Sequence, residues 1–232
     1  MNKTFILIGG SYGIGNKIID LLPKESEIIV ASRTKEGLHN KKVKHITFNA
    51  TEDSLSLEEL PPKIDGFVYC PGSINLRPFK GLKSEAFLND FELNVLGAVK
   101  CLQIIQPLLA ASEQASVVLF STVAVQTGIP FHASVAASKG ALEGLGRSLA
   151  AEWAPKIRVN LIASSITDTP LANRFLNNEI KKEKSSLRHP LKRIGSVNDV
   201  AELAVFLLTE KSSWMTGQVI GLDGGISTLN IN

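Results

Sequence analysis

Residues 4–15 read Thr4-Phe5-Ile6-Leu7-Ile8-Gly9-Gly10-Ser11-Tyr12-Gly13-Ile14-Gly15. The first five form a short, mostly apolar run halted by glycine, the pattern of a strand buried on both faces. Beyond the glycines, Ile14, Ile18, Ile19 and Leu22 recur at helical spacing, and Pro23 closes the helix. Glycines in such a loop allow a tight turn and a close approach of backbone to a bound phosphate. Free N–H groups at the helix start then face the anion. Glycines also make plain turns, so the context has to decide. Here a strand precedes the loop, a helix follows it, and a second strand ends about twenty residues on. The stretch points to a dinucleotide site at the head of an α/β sheet.

The same alternation continues outward from this loop. Apolar runs at 27–31, 43–48, 65–70, 117–120, 157–162 and 218–222 read as further strands, which makes seven in all. Helical patterns cover 84–111, 133–154 and 197–208. Strand and helix in turn predict a parallel, doubly wound Rossmann-type sheet with helices on both faces, in one domain spanning 1–232. The spans between the second and fourth strands are short, so abbreviated or missing helices are expected there. Glu179 to Lys184 is mixed in charge and reads as a solvated helix end or a mobile lid.

The 232 residues suit one domain with a substantial core. A hydrophobic share of 44% and a charged share of 20% are those of an ordinary globular chain. A net charge of +3 is not the footprint of a nucleic-acid binder. Cys70 and Cys101 have no metal-ligand spacing and read as two buried thiols in a reducing compartment. No metal site is expected. The N-terminal apolar run is too short for an export signal or a membrane span. A cytoplasmic protein is therefore expected.

Several further segments go together with the loop. They are Tyr69-Cys70-Pro71-Gly72, Asn94-Val95-Leu96-Gly97, Ser138-Lys139-Gly140-Ala141 and Arg158-Val159-Asn160. Then come Ser164 to Thr169, Thr216-Gly217 and Asp223-Gly224-Gly225. In order and spacing these resemble the motifs of the classical short-chain dehydrogenases/reductases, and the Gly-x-x-x-Gly-x-Gly of Gly9 to Gly15 matches that family's cofactor loop. No single segment is specific; the series is. Ile8 stands where the family usually has Thr, and Tyr69-Cys70-Pro71 where it has Asn-Asn-Ala.

The resemblance implies an oxidoreductase using a nicotinamide cofactor. Gly9, Ser11, Tyr12, Gly13, Ile14 and Gly15 would hold its pyrophosphate, with Gly72 beneath the cofactor. Thr169 and the backbone near Thr167 would hold the nicotinamide carboxamide. At the end of the second strand, Ala31-Ser32-Arg33-Thr34 has no acid to accept from a ribose 2′-hydroxyl. Arg33 can pair with a 2′-phosphate and Ser32 can donate to it, which favours NADP(H) over NAD(H). The bland alternative is an exposed arginine capping a strand end. Asn49 falls where the family contacts adenine.

The family's catalytic set is Asn, Ser, Tyr and Lys. Here the matching positions are Asn94, Thr122, Val135 and Lys139. Valine has no proton to give, and losing a positioned general acid typically costs about 10²–10⁴-fold. The two tyrosines, Tyr12 and Tyr69, fall elsewhere. Lys139, Thr122, His132 and, more weakly, Ser134 are the nearby groups that could compensate.

Two readings follow. One is an NADP-dependent oxidoreductase of a small carbonyl or alcohol with an altered proton donor. The other is a non-catalytic NADP(H)-binding sensor or structural partner. Residues 170–195 correspond to the family's substrate lid. The helices at 84–111 and 133–154 match those the family pairs between subunits, so a homodimer or homotetramer is expected.

Overall fold

The computed structural model describes residues 2–230. Strand β1, Thr4–Ile8, is buried along all its length. It lies between β2, Glu27–Ser32, and β4, Gly66–Tyr69, with Ile6 opposite Ile29 on one side and Phe67 on the other. A strand in that position has no solvent face, which is why its sequence does not alternate. Its side chains still point alternately to opposite faces. Ile6 and Ile8 enter one core layer, and Phe5 and Leu7 enter the other.

The remaining sheet strands are β3, Lys44–Thr47; β5, Ala115–Thr122; β6, Ile157–Ser164; and, after two short strands introduced below, β9, Val219–Leu222. Their order is β3-β2-β1-β4-β5-β6-β9, with every pair parallel. This is the doubly wound arrangement of seven strands. The direction of winding reverses between β1 and β4, and a crevice opens at the C-terminal ends of those strands. Helix α1, Gly13–Leu21, packs against α7, Val197–Leu208, on one face. Helix α3, Gly97–Ala110, and α4, Ala133–Trp153, cover the other. Between β2 and β4 there are only single 3₁₀ turns, Glu36–Leu38 and Leu57–Glu59.

The pattern at 84–111 predicts one helix, but the chain forms three pieces. Helix α2, Ser84–Phe91, passes into a π-helical turn, Glu92–Leu96, before α3 begins. A π turn inserts residues into the ladder and is a device of functional sites. Here the Tyr69 hydroxyl donates to the Leu93 carbonyl at 2.7 Å, inside the turn. Gly97 makes this possible, since a Cβ there would lie 2.2 Å from the Tyr69 oxygen. The turn places Asn94 and Val95 inward. By length and composition Ser84–Ala110 could cross a membrane, but Cys101, Leu102, Ile105 and Leu109 of this stretch belong to the sheet core.

A two-residue parallel ladder joins β7, Thr167–Asp168, to β8, Gly195–Ser196. The segment between them carries α5, Asn173–Leu176, and the charged α6, Glu179–Leu187. It leaves and rejoins the body of the protein at one point.

Candidate functional site

The glycine loop folds as its composition requires. Gly9 and Gly13 have φ of 74° and 63°, a region that L side chains rarely adopt. A Cβ on Gly15 would lie 2.4 Å from the Gly9 carbonyl oxygen, so the first turn of α1 can press onto the loop only with glycine there. Asn16 ties the loop from behind, its amide donating to the carbonyls of Gly10 at 3.2 Å and Gly37 at 2.9 Å. Tyr12 occupies the N-cap in extended backbone, and no side chain caps the helix. The first N–H groups of α1 are thus left to a bound anion.

A cleft of about 820 Å³ runs across the switch point. Gly9 to Gly15 line its centre, Ser32, Arg33 and Asn49 one end, and Gly72 and Thr169 the other. Its size, its glycine cradle and the uncapped helix fit a dinucleotide. Arg33 is exposed and has no ion-pair partner among the described residues. Ser32 is used internally. Its hydroxyl donates to the Thr34 carbonyl at 2.8 Å and lies 3.1 Å from His45 Nε2. Asn49 is likewise engaged, its side-chain oxygen accepting from the Thr51 hydroxyl at 3.0 Å. Arg33 is therefore an unpaired cation at this end of the cleft among the described residues.

At the other end, Lys139 and Asn94 meet over Gly72. A Cβ on Gly72 would lie 3.4 Å from Asn94 Oδ1 and 3.5 Å from Lys139 Nζ, so both atoms lie close behind this residue of the cleft wall, although Asn94, Thr122 and Lys139 do not themselves line the cleft. Lys139 is buried on α4, and burial pulls its pKa down to about 8, with Cys70 and Asp90 acting the other way. Burial pushes the Cys70 thiol up to about 12, so it stays protonated beneath the loop despite its lysine neighbour. Thr122, at the end of β5, accepts from the Ala124 amide at 3.3 Å and keeps its own proton to donate. Thr167 lies off the cleft wall, its hydroxyl bonded to the Ser165 carbonyl at 3.1 Å.

Val135 is 5% exposed and presents only methyl groups where a proton donor is expected. His132 precedes the first residue of α4, and its Nδ1 donates to the Pro130 carbonyl at 2.8 Å. Ser134 is buried without a hydrogen-bond partner. Tyr69 is locked in the π turn, and burial holds its phenol far above the usual range. Lys139 is thus the proton-bearing group beside Gly72. Of the residues behind Asn94, Ser138 belongs to the Ser138-Lys139-Gly140-Ala141 motif, whereas Ser73, and Asp90 behind it, carry no motif of their own. The one sequence signal is an aspartate four residues before Asn94, on the same side of an apolar helix.

A profile of the family described as Enoyl-(Acyl carrier protein) reductase matches residues 50–227. A tropinone reductase homolog of Arabidopsis thaliana is 31% identical over 243 residues, covering 97% of this chain and 91% of the relative. The ligand-free aldohexose dehydrogenase of Thermoplasma acidophilum superposes with a TM-score of 0.87 at 24% identity, covering 99% of this chain and 95% of that one. The gluconate 5-dehydrogenase of Burkholderia cenocepacia, in complex with NADP and tartrate, does so with a TM-score of 0.89 at 21% identity, covering 99% and 97%. The profile takes in well over half of the chain and the plant relative nearly all of it: the chain belongs to the short-chain dehydrogenase/reductase family of oxidoreductases.

Proposed function

We propose that the chain is an NADP(H)-dependent oxidoreductase that interconverts a small carbonyl compound and its alcohol, with Lys139 as proton donor. The observation that carries this reading is the buried Lys139 amine beside the Asn94 carbonyl, close behind Gly72 of the cleft wall. When bound, the nicotinamide supplies the hydride. The residues then have three tasks. The α1 N-terminus and the glycine loop hold the pyrophosphate, and Arg33 holds the 2′-phosphate. Thr122 donates to the substrate oxygen as negative charge gathers there. Lys139 gives that oxygen a proton and regains one from water. With a pKa of about 8 the amine is mostly protonated at neutral pH, as a donor must be.

The test is nucleotide titration followed by turnover with a panel of carbonyl compounds. NADPH is expected to bind more tightly than NADH, and Arg33→Ala to weaken NADPH about 10²-fold, the loss of a charge-assisted contact. Lys139→Met is expected to abolish NADPH consumption. A buried valine at position 135 favours a second reading, a protein that binds NADP(H) without turnover. Tight NADPH binding with no Lys139-dependent consumption would establish that alternative. Failure to bind either nucleotide would overturn both.

A further inference from the structure

Asp90, on α2, is fully buried, and the reaction described above does not use it. Its Oδ1 accepts from the Ser73 hydroxyl at 2.6 Å and from the Asn75 amide at 2.6 Å. Its Oδ2 has no partner among the described residues. These contacts settle the orientation of Asn94. A hydroxyl has one proton, and that of Ser73 is committed to Asp90. The Ser73 oxygen can therefore only accept, and it does so from Asn94 Nδ2 at 3.1 Å. The Ser138 proton is committed to the Val135 carbonyl at 3.0 Å, so Ser138 also accepts from Asn94 Nδ2, at 3.0 Å. Both amide protons of Asn94 are then spent. Its Oδ1, the only end left, faces the point above Gly72 that Lys139 Nζ also faces.

An amide has nearly the same shape with oxygen and nitrogen exchanged. Without fixed acceptors behind it, Asn94 could turn an N–H toward the lysine and repel an ammonium. The groups acting electrostatically on Lys139 are Cys70, at the end of β4 and protonated, and Asp90. Asp90 is the one whose negative charge favours the ammonium form at neutral pH.

We propose that Asp90 is a positioning residue. Through Ser73 it holds the Asn94 carbonyl toward Lys139, which donates in place of the missing tyrosine, and its carboxylate supplies a negative charge that acts on this donor. The inference rests on Lys139 being the proton donor. In that step an N–H bond of Lys139 breaks, the O–H bond of the product alcohol forms, and the electron pair stays on Nζ. Water then returns a proton to the amine. Asp90 itself neither gives nor takes one.

The test uses the full chain without nucleotide, labelled with ¹³Cε-lysine. The Lys139 resonance is identified by its loss in Lys139→Arg. The wild-type midpoint is expected near 8. Asp90→Asn is expected to lower it by about one pH unit, the order of size of a single charge interaction between buried groups. Asp90→Glu, which restores the charge, is expected to bring it back. Ser73→Ala keeps the charge but removes one of the acceptors behind Asn94, so the midpoint should fall by less than in Asp90→Asn while kcat falls about 10-fold at unchanged KM for NADPH. The alkaline limb of kcat should move with the midpoint in Asp90→Asn. A folded Asp90→Asn with the wild-type midpoint overturns the proposal. If Asp90→Asn does not fold, Ser73→Ala decides: unchanged kcat and pH profile overturn it, and the kcat loss supports it. If wild-type protein shows no turnover, the oxidoreductase reading fails, and the midpoints still report whether Asp90 acts on Lys139.

Discussion

Lys139 sets a cost against a capability. Its ammonium is desolvated on α4, so its pKa is about 8 folded against 10.5 in a free chain. Below pH 8 both states are protonated and the folded state bears the full penalty. The penalty lifts as pH rises from the folded value toward the unfolded one. Lys139→Met is therefore expected to raise folding stability at pH 7 by about 2 kcal/mol while removing turnover. Denaturant midpoints of the two proteins check this, and a destabilised Lys139→Met would contradict it. Val135 makes the complementary case. It stands one helical turn before Lys139, where a phenol could reach the same oxygen. Val135→Tyr is expected to raise kcat about 10²-fold, the typical worth of a positioned acid. No gain in a folded Val135→Tyr would mean the substrate oxygen lies out of its reach.

Among the elements, the junction of β1 and α1 and the start of α7 carry the sharpest local rules. In the first, a Cβ on Gly15 meets backbone rather than a movable side chain. Gly15→Ala is expected to cost about 2 kcal/mol or more and to abolish NADPH binding, as the loop must open to admit the methyl group. Calorimetry with and without NADPH separates the two effects. Helix α7 begins with a capping box. The Ser196 side chain accepts from the Asp199 amide, Asp199 accepts from the Ser196 amide at 2.7 Å, and Arg193 pairs with the same carboxylate. That pairing holds the Asp199 carboxyl well below the usual range. Its contribution is present above the unfolded carboxylate pKa and is lost as pH falls through the folded one. Ser196→Ala is expected to cost about 1 kcal/mol by denaturant unfolding, with NADPH affinity unchanged.

At the scale of the whole molecule, the buried ionisable groups set a stability maximum. Lys139 makes stability rise with pH above about 8. Cys70 and Cys101, both pushed up to about 12 by burial, oppose this. The unfolded chain releases their protons near pH 9, two groups against one, and Tyr69 joins them at higher pH. Thermal midpoints are therefore expected to rise slightly from pH 7 to about 9 and then to fall. A monotonic fall across that range would show that Lys139 is not desolvated. The molecule also leaves Leu88 67%, Phe91 39% and Leu96 37% exposed along one helical stretch. We propose that this face joins two copies, since an exposed apolar stripe is a surface that association would cover. Light scattering is expected to give a multiple of 25.0 kDa, and a mass of one chain would remove the idea.

The parallel sheet and the glycine loop were legible in the sequence because local rules govern them. A central strand must be apolar on both sides, Gly15 has a carbonyl where its Cβ would be, and Arg33 replaces an acid at a strand end. Periodicity alone likewise located α7 from Val197 to Leu208. The break in the long helix was not legible, since its cause is the Tyr69 hydroxyl, 24 residues away in sequence, bonding to the Leu93 carbonyl. Nor were the internal engagement of Ser32 and Asn49 or the chain from Asp90 through Ser73 to Asn94. Sequence names the groups that can donate and accept. Which proton each one spends depends on neighbours that only the tertiary fold brings within hydrogen-bond reach.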